Sequence, residues 1–309
     1  MTVTAGRAPV MQRSPATPRI YIASPLTNLT DGQQRSLGCE LKVVRNTVEQ
    51  VTVTNRPDGD NWPVAIYAPF DNTAPWKNDG LSPAQVYERN LTEILDSDAL
   101  IVLADRAASA GVGQETEWAA RIGIPLLYLS SAAQVSRQIQ GVPAAITAIA
   151  YDGDSDKLTE QVTAFLHRWR SRIEDGPRRR DSRRLRLQPL TSRLQQRWAS
   201  TTNRTDLAVR CNLEVRLIDL TLADPMRLAV LPIDSLLMLC AELGITLGTP
   251  AAQLSIAATR ALILAAEHEH WPDSMVEELR VHGITRMALD PALDLGTLDG
   301  WRSLKARMR

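Results

Sequence analysis

The sequence predicts an α/β protein: a doubly wound parallel sheet of about five strands over residues 19–173, followed by an all-α region. Two observations predict it. From Arg19 to about Arg172, short apolar runs alternate with stretches of helical periodicity, the signature of parallel strands joined by crossover helices. Beyond about Leu190 the periodicity is helical throughout and strand signals vanish.

The elements follow in order. Ile20-Tyr21-Ile22-Ala23 reads as the first strand, and Gln33 to Gln50 as a helix with Leu37, Leu41, Val44 and Val48 on one face. Val64-Ala65-Ile66-Tyr67 is the second strand. Ser82 as N-cap and Pro83 at the first helical position open a helix carrying Val86, Leu91 and Ile94. Ala99 to Leu103 is the third strand, and a glycine loop leads from it into the next helix. Ile124 to Leu129 and Ile146 to Ala150 supply the last strands, and a helix from Asp156 to Arg172 closes the unit.

Composition narrows the class. The 309 residues suffice for two domains. The 35 lysines and arginines equal the 35 aspartates and glutamates, so bulk charge gives no argument for nucleic acid or an anionic membrane. Cys39, Cys211 and Cys240 are far apart and odd in number, which fits no disulfide framework and predicts a reducing, cytoplasmic setting. No run of about 18 apolar residues occurs, so no membrane partner is expected. Residues 1–18 read as a flexible leader, 19–173 as the α/β domain, 174–190 as an Arg-rich linker, and 191–309 as the all-α domain. Around Pro177, the arginines 178–180 and 183–184 read as a solvated linker, with a phosphate-binding arm as the alternative.

The most informative stretch is Ser109-Ala-Gly111-Val-Gly113-Gln-Glu115-Thr-Glu117-Trp118-Ala119, between a strand and a helix. Ligands of open parallel sheets sit at the carboxyl ends of strands. A carboxylate there can act as nucleophile or base, and a hydroxyl with adjacent amides can hold a phosphate.

Ile20-Tyr21-Ile22-Ala23, the loop Gly111-Val-Gly113-Gln-Glu115 and the segment Asn90 to Asp98 stand in an order that resembles the nucleoside 2-deoxyribosyltransferase family, including its nucleotide N-glycosidase branch. The resemblance covers residues 19–130, about a third of the chain, and implies a flavodoxin-like sheet. It implies cleavage of an N-glycosidic bond, by hydrolysis or transfer. Glu115 would attack C1′ or stabilise an oxocarbenium-like transition state, and Tyr21 would orient it. Glu115 is expected in the first helical turn, where the amides favour its ionised form. Glu117, two residues on, should point elsewhere.

Ser109, where relatives acting on unphosphorylated nucleosides place an aspartate, points to a 5′-phosphorylated substrate. Asn90 stands where the family commonly has an aspartate. An asparagine can hydrogen-bond a base but cannot serve as a general acid. Ser24, with Thr27 and Asn28, is a candidate ligand donor or ordinary turn chemistry. Asp71 lies in a segment where the family surrounds the nucleobase, and Phe70 or Trp76 would stack on a base or pack locally. Relatives assemble so that neighbours complete each site, which implies a homo-oligomer.

In the second region, Thr205 to Asn212 with Leu213 to Leu222 resembles a repressor-like helix-turn-helix. Leu207-Ala208 is followed by Ile218, and Asn212 stands at the usual turn glycine. As a DNA reader it would expose Val215, Arg216 and Asp219, with residues 178–222 as the contact region. Six arginines and six acidic residues cancel over 191–250, so a helical bundle for protein contacts is an equal expectation. Helices are expected from Ser255 to Glu269 and from Asp273 to His282, with Gly283 as C-cap. His268 and His270, at i and i+2, do not share a helix face, and no P-loop, Gly-x-Ser-x-Gly elbow or zinc-deaminase signature occurs. No metal or cofactor is therefore expected. Three functions stay open: an N-glycosidase, a nucleotide-sensing DNA-binding regulator, and a partner-controlled defence effector that degrades nucleotides or NAD.

Overall fold

The computed structural model describes residues 17–54, 62–77, 80–104, 109–130, 146–150 and 153–245. The leader, the expected helices after Ser255, Gly283 and the two histidines lie outside the described residues.

Five parallel strands form one sheet: β1 (Arg19–Ala23), β2 (Ala65–Tyr67), β3 (Ala99–Leu103), β4 (Leu126–Ser130) and β5 (Ile146–Ala150). Their spatial order is β2-β1-β3-β4-β5, the flavodoxin-like order. The chain reverses direction across the sheet between β1 and β3, so the ligand-binding crevice of this architecture lies at their carboxyl ends.

Strand alternation assigns each face. Ile20, Ile22, Ile101, Leu103, Leu127 and Leu129 pack under α1 (Asp31–Thr54) and α5 (Ser155–Glu174). Tyr21, Ala23, Leu100, Val102, Leu126 and Tyr128 pack under α3 (Pro83–Leu95) and α4 (Ala110–Ile122). Both faces are covered, which is why β3 is an uninterrupted apolar run and every residue of β3 and β4 is buried.

Local chemistry sets the helix ends. The Ser82 hydroxyl accepts from the Gln85 amide at 3.3 Å while the Gln85 side chain accepts from the Ser82 amide at 2.8 Å, a capping box with Pro83 behind it. Ser109 caps α4 by accepting from the Val112 amide at 3.2 Å, and Gly123, at φ 65°, ends that helix in the left-handed region. Between β2 and α3 lies the short helix α2 (Pro69–Asn72).

The Arg-rich segment expected as a solvated linker is instead the start of a helix, α6 (Gly176–Ala199). Its arginines meet partners 61 to 163 residues away that no local pattern announces. Arg180 is buried, sits 3.3 Å from the Asp98 carboxylate and donates to the carbonyls of Thr17 (3.1 Å) and Asp96. Arg184 pairs with Asp96. Arg183 donates to the Ile122 carbonyl (2.7 Å), and Arg172 of α5 to that of Gly123 (2.6 Å), so two guanidinium groups satisfy the C-terminal end of α4.

The described C-terminal region is helical: α6, α7 (Arg204–Arg210), α8 (Val215–Ala223), a 3-10 turn (Pro225–Ala229) and α9 (Ile233–Glu242). Leu194, Trp198, Leu207, Cys211, Ile218, Leu222 and Leu239 fill its core. The turn between α7 and α8 runs through Asn212 at φ 54°, with the Leu213 amide bonded back to the Ala208 carbonyl at 2.9 Å. Asparagine tolerates this left-handed geometry better than other side chains, and glycine better still. Asn212→Gly is expected to leave stability within about 0.5 kcal/mol and Asn212→Val to lower it by about 1–2 kcal/mol, as read by urea unfolding.

The three side chains expected to read DNA each have a partner within the chain, while Arg216 and Asp219 stay exposed. Val215 packs against the helical core, Asp219 accepts from the Trp198 indole at 2.6 Å, and Arg216 pairs with Glu88 of α3.

Candidate active site

Glu115 occupies the sixth position of α4, because that helix begins at Ala110. It therefore lies in the second turn, where the helix-terminal field is weak, and the expectation that the dipole would favour its ionised form is corrected. Its side chain turns under the helix toward β1 and is 6% exposed. Burial pushes its pKa up to about 7, against the opposing effect of hydrogen bonds from Tyr21 and Asn90. The Tyr21 hydroxyl donates to Oε1 at 2.6 Å and the Asn90 amide donates to the same oxygen at 3.2 Å. Burial and the Glu115 charge together raise the Tyr21 phenol well above its ordinary range, so Tyr21 serves as a donor and not as an acid.

Glu117 separates cleanly from Glu115. Its side chain is 47% exposed and pairs with Arg121 one turn on, at 2.7 Å. Of the two carboxylates, Glu115 alone faces the sheet.

Two residues complete the cluster that sequence reading passed over. Tyr67, at the end of β2, donates to Asn90 Oδ1 at 3.3 Å, and Thr73 donates to the same atom at 3.2 Å. Two hydroxyls on Oδ1 fix the amide so that Nδ2 faces Glu115. A signal existed: the Ile-Tyr pair of β1 recurs in β2 as Ile66-Tyr67. The parallel register sets Tyr21 beside Tyr67, with ring centroids 5.3 Å apart.

The remaining candidates distribute around this cluster. Ser24 follows β1 directly. Its hydroxyl is buried and has no hydrogen-bond partner among the described residues. Ser109, Gly111 and Gly113 form the N-terminal turn of α4, on the far side of the switch point from β1. A Cβ on Gly113 would meet nothing within 4 Å, and one on Gly111 only the Ser109 hydroxyl at 3.7 Å. Neither glycine is demanded by packing.

Asp71 is not brought to Glu115. Its carboxylate is held by Arg45 of α1 and by Lys77 at 2.9 Å, which makes it a brace between α1 and the loop after α2. Phe70 packs on Gly38 of α1 and edge-on to Trp76, with Lys77 over its ring, so the local-packing expectation describes this aromatic. Thr27 and Asn28 are exposed.

Fold and cluster together define an α/β chain with a buried, hydrogen-bonded carboxylate at the switch point of a flavodoxin-like sheet. The chain matches no protein-family model and no curated protein. Among the described residues, no helix is long and apolar enough to cross a membrane.

Proposed function

We propose that this chain cleaves the N-glycosidic bond of a nucleoside 5′-monophosphate or a related nucleotide, with Glu115 as the working carboxylate. The observation that carries the reading is the convergence of Tyr21 and Asn90 on one oxygen of a buried glutamate at the sheet's switch point. With Oε1 occupied by both donors, Oε2 is the oxygen left to approach C1′ as the base departs. Ser109, the first-turn amides of α4 and the Ser24 hydroxyl, which has no partner among the described residues, offer donors to a phosphate. The water that hydrolyses the intermediate, or the second base that accepts the sugar, completes the reaction.

Chromatography of free base released from a panel of nucleosides, their 5′-monophosphates and NAD tests this reading. Release is expected to favour a phosphorylated member. Equal release from the matching nucleoside would remove the phosphate from the proposal. The acid limb of the pH profile is expected near pH 7, where Glu115 ionises. Tyr21→Phe removes a donor to the carboxylate, so the Glu115 pKa rises and the limb moves to higher pH, by about one unit. An unmoved limb in Tyr21→Phe would assign it to another group.

A further inference from the structure

The helical region grips the two helices that carry the site. Met226, in the 3-10 turn, is fully buried in the same apolar cluster as Tyr21, Leu91 and Trp118. Arg227 donates to the Thr92 hydroxyl at 3.1 Å, and Arg216 pairs with Glu88. Arg121 of α4 donates to the Val230 carbonyl at 2.9 Å. Glu88 and Thr92 are one turn apart and share a face of α3. Asn90, two residues from each, projects from the opposite side toward Glu115. The helix is thus clamped between the helical region and the carboxylate it serves. Tyr87 of α3 and Trp118 of α4 meet edge-to-face at 5.1 Å, so both site helices share this seam.

We infer that the Met226–Arg227 turn is a positioning element for the site: by holding Thr92 it sets α3 at the height where the Asn90 amide reaches Glu115. The two arms of the contact are unequal in character. Glu88–Arg216 lies at the surface, with the arginine 60% exposed, and contributes little. Arg227 and Met226 lie inside the seam. The functional meaning of this role rests on the reading of Glu115 as the working carboxylate. The titration of Glu115 needs no turnover, however, so a silent base-release assay and an unmoved titration are separate outcomes. The titratable groups that act on the carboxylate's surroundings are Tyr21 from β1, bonded to it, and Tyr67 from β2, with Arg89 and Glu93 of α3 acting on those tyrosines. Thr92→Val changes none of their charges.

The test follows the Glu115 carboxyl by carbon NMR against pH in the full chain, with the resonance assigned by its loss in Glu115→Gln. Thr92→Val and Arg227→Met are each expected to raise the Glu115 pKa by up to about one unit, the effect of weakening one hydrogen bond to a carboxylate. Arg227→Lys, which keeps a donor and the charge, is expected to restore the wild-type value. In an Asn90→Ala background, Thr92→Val is expected to add no further shift, because the link it breaks is already gone. A shift of equal size in that background, or no shift in Thr92→Val, overturns the positioning role. A shift in Arg227→Met alone reports only its lost charge and overturns it equally.

Discussion

Arg180→Met is expected to lower stability by about 3–5 kcal/mol at pH 8, and by less at pH 5. Methionine keeps much of the arginine's volume but leaves Asp98 without its Arg180 ion pair, at 1% side-chain exposure. Burial already raises the Asp98 pKa from 3.8 to about 6, although Arg180 and the Arg19 amide, which donates to it at 2.9 Å, both oppose the shift. A carboxyl with a raised folded-state pKa holds its proton longer when folded. Stability from this group therefore falls as pH climbs from about 4 to about 6 and then levels. Without Arg180 the folded-state pKa rises further, and the decline continues to higher pH. Below it, Asp98 is neutral and the missing partner matters less. Urea unfolding at the two pH values reads the difference. A small loss, equal at both, would mean that α6 does not depend on this pair for docking. Gly176 makes the same point from the other side, since a Cβ there would collide with the Asp98 carboxylate.

Glu115→Gln is expected to lose turnover on the order of a thousandfold or more while gaining thermal stability above pH 7. The amide oxygen still accepts from Tyr21 and Asn90, so geometry is retained. What disappears is a buried charge. The folded-state pKa of about 7 lies above the ordinary 4.5, so stability from Glu115 falls as pH climbs from about 4.5 to about 7 and the full cost of the buried charge is felt above that. Melting curves at pH 8 and pH 5 should show the variant ahead of wild type at the first and close to it at the second. Equal melting of the two proteins at pH 8 would contradict the burial that sets the carboxylate's pKa.

Much of the sheet was legible in the sequence because its signals are local. Strand runs at Ile20, Ala99 and Ile146 and the Ser82-Pro83 helix start need only their neighbours, and each stands where the pattern put it. The Glu115–Tyr21 pair was legible through the resemblance of two separated motifs, not through periodicity. Asp71 shares the neighbourhood of the cluster, but its carboxylate turns to Arg45 and Lys77, partners that its local sequence does not announce. Thr73, two residues on, is the one that reaches Asn90. The arginines after Pro177 read as solvated because Asp96, Asp98 and the α4 carbonyls lie far away in sequence. Charge runs reveal their partners only in three dimensions. Tyr67 was missed for a different reason: a strand-ending tyrosine reads as core until the register sets it beside Tyr21.

The most direct test of the account is free-base release from a nucleoside 5′-monophosphate panel by wild type and by Glu115→Gln, assayed side by side at pH 8. The account predicts release from at least one member by wild type and none above background by the variant. Release that survives the substitution, or a wild-type protein that binds these nucleotides and cleaves none of them, would contradict it.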